Sequence, residues 1–164
     1  MLPESQSAID RFIDALWLED GLSANTLSAY RRDLSLLAHW LREHGVALDQ
    51  TTEPHLQQYF AVKHAATKAT SANRRLTVFK RYFRWALRER HVQADPTLRM
   101  LAAKQSLRVP KTLSEIQVNL LLNAPDVHDA LGLRDRCMLE LMYASGLRVS
   151  ELVQLKTLHV SLND

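Results

Sequence analysis

SANRRLTVFKRYFRWALRERH, residues 71–91, is the stretch on which the fold turns. At ~100° per residue, Leu76, Phe79, Phe83, Ala86 and Leu87 fall on one stripe, which predicts a helix over 71–91 with its apolar side on a core. Arg74, Arg81 and Arg88 repeat every seven residues on the opposite side, with Thr77, Lys80 and Arg84 beside them. A solvated face ordinarily mixes charge signs, yet this one carries no acid before Glu89. Lys68, Thr70, Ser71 and Asn73 add polar groups at its approach. Such a helix needs a bundle on one side and suits a polyanion on the other.

The preceding residues supply the bundle. Ile9, Phe12, Ile13, Leu16 and Trp17 recur at helical spacing and predict a helix over 4–20, ended by Gly21. Ser23 is placed to cap a second helix over 25–44, whose stripe is Leu27, Tyr30, Leu34, Leu37 and Leu41. Arg31, Ser35 and Arg42 fall beside that stripe. Pro54 opens a third helix over 55–66, with Leu56, Tyr59 and Phe60 inward. Four glycines and five prolines in 164 residues agree with a mainly α fold.

Charge is segregated along the chain. The net charge of +3 conceals a stretch, 1–20, with five acids against Arg11, and another, 63–90, with nine bases against Glu89. An apolar content of 46% with 24% charged residues describes a globular chain, and no apolar run approaches the ~20 residues of a membrane span. The polar, acidic N-terminus is unlike a secretory signal, and the single cysteine, Cys137, fits a reduced cytoplasmic protein. The histidines show no metal-ligand spacing and no glycine-rich phosphate loop occurs, so neither metal nor cofactor is expected.

Pro96 and Pro110 bracket a basic, weakly patterned stretch read as a linker over 91–110. Helical pattern resumes at Ser114, which forms a capping-box pair with Gln117. A further helix covers 133–145, apolar on two sides through Cys137, Met138, Leu141, Met142 and Tyr143. It stops at ASGLRVSEL, residues 144–152. Gly146 permits a left-handed cap, so Arg148 stands at a tight corner before another helix. A planar guanidinium suits a phosphate whose negative charge grows in a transition state. Glu151, one turn later, is placed to orient it. Spacing alone favours a plainer surface pair of Arg148 with Glu151, worth ~0.2–0.5 kcal/mol. The tail, LKTLHVSLND, reads as a turn before a strand.

The whole string LRDRCMLELMYASGLRVSELVQL, 133–155, resembles the first active-site segment of the tyrosine site-specific recombinases, the phage integrase family. DALWLEDGLSANTLSAYRRDLSLLAHWL, 14–41, is similar to the core-binding domain of the Xer branch of that family. ADPTLRM, 94–100, and LRVPKTLSEIQVNLLLNAP, 107–125, resemble its interdomain region. The likeness spans essentially the whole chain.

The resemblance implies a four-helix SAM-like core-binding domain over 1–90, the linker over 91–110, and the first helices of an incomplete catalytic domain over 111–164. It implies that Arg148 is catalytic and contacts the scissile phosphate, with Glu151 as its support. Asn25, Thr26, Arg31, Arg32, Lys68, Ser71, Asn73, Arg74, Arg75, Lys80 and Arg81 are the expected DNA contacts. The partners implied are a double-stranded recombination site, a XerC-like recombinase in a heterotetramer and a DNA translocase of the FtsK type, serving chromosome dimer resolution in the cytoplasm at the nucleoid.

A complete site of this family adds a hairpin lysine, a His-x-x-Arg pair, a further His or Trp and a tyrosine nucleophile, all after the arginine motif. Here Tyr30, Tyr59, Tyr82 and Tyr143 all precede Arg148 at positions that suit packing, and His39 with Arg42 is a chance match. The 164 residues alone are therefore expected to bind DNA without cutting it. Two other readings stay open: a helix-turn-helix regulator that turns at Gly146, and a helical bundle that docks an acidic protein.

Overall fold

The structure is a computed structural model in which residues 1–64, 68–104 and 112–159 are described. Along the chain these residues form α1 (Pro3–Asp20), α2 (Ala24–Glu43), a 3-10 turn (Leu48–Gln50), α3 (Glu53–His64), α4 (Ala69–Arg88), α5 (Glu115–Leu122), α6 (Ala130–Ser145), α7 (Val149–Val153) and a second 3-10 turn (Thr157–His159). The mainly α expectation holds. The described residues fall into two compact units, within 1–107 and 108–164. The expected end of the third helix at Ala66 and the linker residues 105–110 lie outside the described residues.

In the first unit, α1, α2, α3 and α4 enclose one core. Ile9 and Phe12 of α1, Leu34, Leu37 and Leu41 of α2, Leu56 and Tyr59 of α3, and Phe79 and Phe83 of α4 are all fully buried. Phe12 meets the Tyr82 ring edge-on at 5.3 Å between centroids, and Tyr59 meets Phe79 at 5.8 Å, geometries that aromatic quadrupoles favour. Two polar groups of this interior are paired, while the buried Tyr59 hydroxyl has no hydrogen-bond partner among the described residues. The buried Ser5 hydroxyl accepts the Leu48 N–H at 2.9 Å, which pins the first 3-10 turn to α1. Burial first, and then a hydrogen bond to Asp49, pushes the Tyr82 phenol far above its usual range. Burial likewise raises Tyr59.

Two side chains assigned to the apolar stripes lie outside them. Trp17 is 62% exposed and Leu87 is 41% exposed. Each stands at the edge of its stripe, where ~100° per residue carries it past the neighbouring helix. The α4 boundary also differs from the expected His91. The helix stops at Arg88, and Arg90 turns left-handed with φ 61°. The His91 N–H then returns to Ala86 O at 2.8 Å, and the Arg90 N–H to Leu87 O at 3.1 Å. This is the two-bond closure that glycine ordinarily enables, here made by arginine.

The chain beyond α4 folds back on the first unit. The buried Asp95 accepts the Thr97 N–H at 2.7 Å and its hydroxyl at 2.6 Å. Val92 and Met100 pack against the core, and Asn73 grips both backbone groups of Ala103.

In the second unit, α5 begins with the expected capping box, Ser114 accepting from Gln117 N–H and the Gln117 side chain from Ser114 N–H. Asp129 caps α6 by accepting from Leu131 and Gly132. A Cβ at Gly132 would stand 1.9 Å from the carbonyl oxygen of Asp126, so only glycine fits that close backbone approach. No residue of α6 is buried, and Cys137 is exposed. The tail forms a 3-10 turn at Thr157–His159, and residues 160–164, where the expected strand would begin, lie outside the described residues.

Candidate functional site

The expected DNA contacts gather on α2 and α4, which pack on one another in the first unit. Asn25 and Arg32 are exposed on α2, and Lys68 is the exposed cap residue of α4. Thr26 is half-buried and shares a 3.0 Å hydrogen bond with the capping Ser23. Ser71 is half-buried near the start of α4. Asn73 has both side-chain functions engaged by Ala103, at 2.9 and 2.8 Å, so its amide serves the fold.

The arginines carry a feature that the helix sequence by itself does not display. Five of them meet a carboxylate from a neighbouring helix, and Arg88 also pairs with the adjacent Glu89 at 2.8 Å. Arg31 pairs with Asp10 of α1, Arg74 with Asp33 of α2 at 2.8 Å, Arg81 with Asp20 of α1 at 2.7 Å, and Arg88 with Glu19 of α1 at 2.7 Å. Arg75 approaches the same Asp33 at 3.9 Å. The expectation of a face without acid thus holds for α4 as a sequence but not for the assembled surface. The signal was present in the five acids of residues 1–20, whose spatial neighbours the sequence does not state.

Hydrogen bonds from Arg31, and then from Gln6, hold the Asp10 carboxyl below its ordinary range. Arg81 also donates to the Tyr30 hydroxyl at 3.5 Å and lies over the Tyr30 ring at 5.8 Å. Lys80 and Arg84 have no ion pair among the described residues. Together with Thr77 and Arg81 they line one shallow, open depression on α4. Arg84 and Thr77 were outside the expected contact set, although their helical positions beside Lys80 were legible.

In the second unit, Gly146 closes α6 with φ 68°, a left-handed value that a side chain would disfavour. Two residues later Arg148 caps α7, and its side chain is 81% exposed. The Glu151 carboxylate accepts the Arg148 backbone N–H at 2.8 Å and its guanidinium at 3.0 Å. A guanidinium has no acceptor to return to the first N–H groups of α7, so this cap is one-sided. The corner therefore presents a fixed backbone and an outward cation steadied by one carboxylate. Tyr59 and Tyr82 are buried and Tyr30 lies half-buried under Arg81, but Tyr143 is 65% exposed, contrary to the packing role expected of it. The His39 ring is tied to Ser35 O at 2.7 Å within α2.

A helical bundle with a basic face, followed by a Gly-Leu-Arg corner, defines a class. Residues 9–90 match the phage integrase N-terminal SAM-like domain and residues 111–164 match the phage integrase family. The chain belongs to the phage integrase family.

Individual relatives narrow the comparison. The chain is 64% identical over 162 residues to tyrosine recombinase XerD of Ralstonia nicotianae, covering 99% of this chain and 53% of that protein. It is 45% identical over 163 residues to tyrosine recombinase XerD of Yersinia pestis, covering 99% of this chain and 54% of that protein. The chain spans about half the length of these curated relatives. Among solved structures it is similar to a lambda integrase dimer bound to a COC′ core site, with a TM-score of 0.68 and 22% identity, over 94% of this chain and 42% of that one. At that identity the likeness is one of fold. Among the described residues no helix is long and apolar enough to cross a membrane.

Proposed function

We propose that these residues are the N-terminal, DNA-binding portion of a XerD-like site-specific tyrosine recombinase. The observation that carries this reading is the identity of 64% with a tyrosine recombinase XerD across 99% of the chain. Residues 1–90 are the core-binding domain, 91–110 the linker and 111–164 the opening of the catalytic domain. The basic surface of α2 and α4 meets the duplex, where phosphate contacts set affinity and register.

Arg148 serves the chemistry of the whole recombinase. A tyrosine hydroxyl attacks a DNA phosphorus, the 5′ oxygen leaves, and a 3′-phosphotyrosyl bond conserves the energy for rejoining. Charge grows on the non-bridging oxygens as the attack proceeds. A guanidinium on the fixed Gly146 corner donates two parallel hydrogen bonds to them without first reorganising. Glu151 keeps that guanidinium in place. A XerC-like recombinase, a translocase of the FtsK type and the resolution of chromosome dimers at the nucleoid follow from the same reading. At five residues, α7 is too short to act as the recognition helix of a helix-turn-helix regulator.

The test is duplex binding by the 164-residue chain across a salt series, with a family-type recombination site and a scrambled duplex. Expected are a preference for the site and a salt slope of about 0.9 per neutralised phosphate. Lys80→Ala with Arg84→Ala should weaken both duplexes alike. Binding that ignores salt and both substitutions would overturn the assignment of this face.

A further inference from the structure

We infer that the acidic side of α1 is a built-in competitor for the DNA-facing arginines, one that holds down binding to non-specific duplex. This rests on the DNA-binding reading of the first unit and adds to it a device for selectivity. Besides Glu89, which pairs with the adjacent Arg88, four carboxylates meet the basic face, and three of them, Asp10, Glu19 and Asp20, come from α1. The fourth, Asp33, comes from α2 and is of a different kind.

Exposure separates the two kinds. Asp33 is 1% exposed, so its pair with Arg74 is part of the packing and does not exchange with a ligand. The α1 pairs are open to water on both sides: 37% and 41% for Arg81 with Asp20, 53% and 50% for Arg88 with Glu19. Exposed pairs of this type are weak, and a polyanion can displace them. Glu19 and Asp20 also line one cleft with Arg81, Arg84 and Arg88. A phosphate that reaches these cations enters beside two carboxylates.

Two consequences follow. At long range, α1 cancels positive charge that would otherwise draw in any duplex. At contact, each phosphate must displace a carboxylate before it gains an arginine. Correct docking makes many contacts at once and overcomes this. A poorly seated duplex makes few and does not. The acids thus lower affinity for every duplex and lower it most for the wrong ones.

The experiment compares the full chain with Asp20→Asn, Glu19→Gln and the double variant on a recombination-site duplex and a scrambled one. Both residues are exposed and both substitutions are near-isosteric, so the fold is retained, as circular dichroism checks. The scrambled duplex should gain several-fold in affinity, with a salt slope steeper by about 0.9 for the Arg81 that Asp20→Asn frees and by less for Arg88, which keeps Glu89 at 2.8 Å after Glu19→Gln. The ratio of specific to scrambled affinity should fall. Arg81→Ala should remove the gain produced by Asp20→Asn. An unchanged or lowered affinity in Asp20→Asn would show the carboxylate positioning Arg81 for DNA and overturn the competition. An equal gain with and without Arg81 would overturn it too. A wild-type chain that binds neither duplex would refute the DNA-binding reading itself, a separate result.

Discussion

Arg74 of α4 closes over Asp33 of α2 at 2.8 Å, its side chain 46% exposed and the carboxylate 1% exposed. The asymmetry in exposure makes the two halves of the pair unequal in consequence. Arg74→Ala leaves a buried carboxylate with Arg75 at 3.9 Å as its remaining ion-pair partner, a cost of about 1–3 kcal/mol. Asp33→Asn leaves a guanidinium that can turn to water, and keeps a hydrogen-bond acceptor in place. Urea unfolding of the two variants should therefore show Arg74→Ala as the less stable. It also follows that Arg74→Ala would lose DNA binding partly through lost stability, whereas Lys80→Ala and Arg84→Ala would not.

The Asp10 carboxyl is held below its ordinary range by Arg31 and then Gln6, and the sign of the linkage fixes a pH window. A depressed folded-state value contributes stability at pH above the unfolded aspartate range, near 4, and that contribution is lost as pH falls through the folded value. Both side chains are close to half exposed, so the contribution is at most about 1 kcal/mol. Thermal melts of wild type and Asp10→Asn should differ at pH 7 and converge as pH drops below about 4. A difference that persists at pH 2 would show that Asp10 acts through packing and not through its charge.

Arg90 adopts φ 61° where the chain leaves α4, with its side chain exposed and no ion pair to it among the described residues. A left-handed conformation costs a residue with a Cβ about 1–2 kcal/mol, part of which glycine returns through its freer unfolded chain. Arg90→Gly should raise stability by about 0.5–1 kcal/mol, read as a higher denaturant midpoint at unchanged slope. Arg90→Ala should leave stability nearly as it is, because the strain belongs to the Cβ and not to the guanidinium.

Periodicity made the helices legible, because a residue's face depends only on its offset along the helix. Leu34, Leu37, Leu41, Phe79 and Phe83 accordingly sit in the core as read. It misplaced Trp17 and Leu87, since the edge of a stripe is buried or exposed according to a neighbour that the pattern does not contain. The end of α4 was missed for a related reason: no glycine announces it, and Arg90 takes the glycine conformation instead. In the candidate site, the Gly146 corner and the Arg148–Glu151 pair are local in sequence and could be read from it. The pairs Arg81–Asp20 and Arg88–Glu19 join residues from opposite ends of the first unit. Segregated charge showed that both partners existed. Only the packing of α1 against α4 shows that they meet.

Arg148 occupies a capping position that favours other residues on stability grounds. The cap residue of a helix serves best as Ser, Thr, Asp or Asn, whose oxygen accepts an N–H from the first turn. Glu151 already supplies the returning half of a capping box by accepting the Arg148 N–H at 2.8 Å. Arg148→Ser would complete the box, adding about 0.5–1 kcal/mol to the end of the second unit, while the exposed ion pair it removes is worth ~0.2–0.5 kcal/mol. Hydrogen exchange at the amides of α7 should therefore slow in Arg148→Ser. Arg148→Ala should show no slowing, since it brings no acceptor. The same Arg148→Ser substitution in a complete recombinase should abolish strand cleavage, because serine cannot hold two oxygens of a charged phosphate. A substitution that steadies the helix and removes the chemistry is the mark of a residue kept for function at the expense of local stability. Faster exchange in Arg148→Ser would instead show that the guanidinium itself holds this corner together.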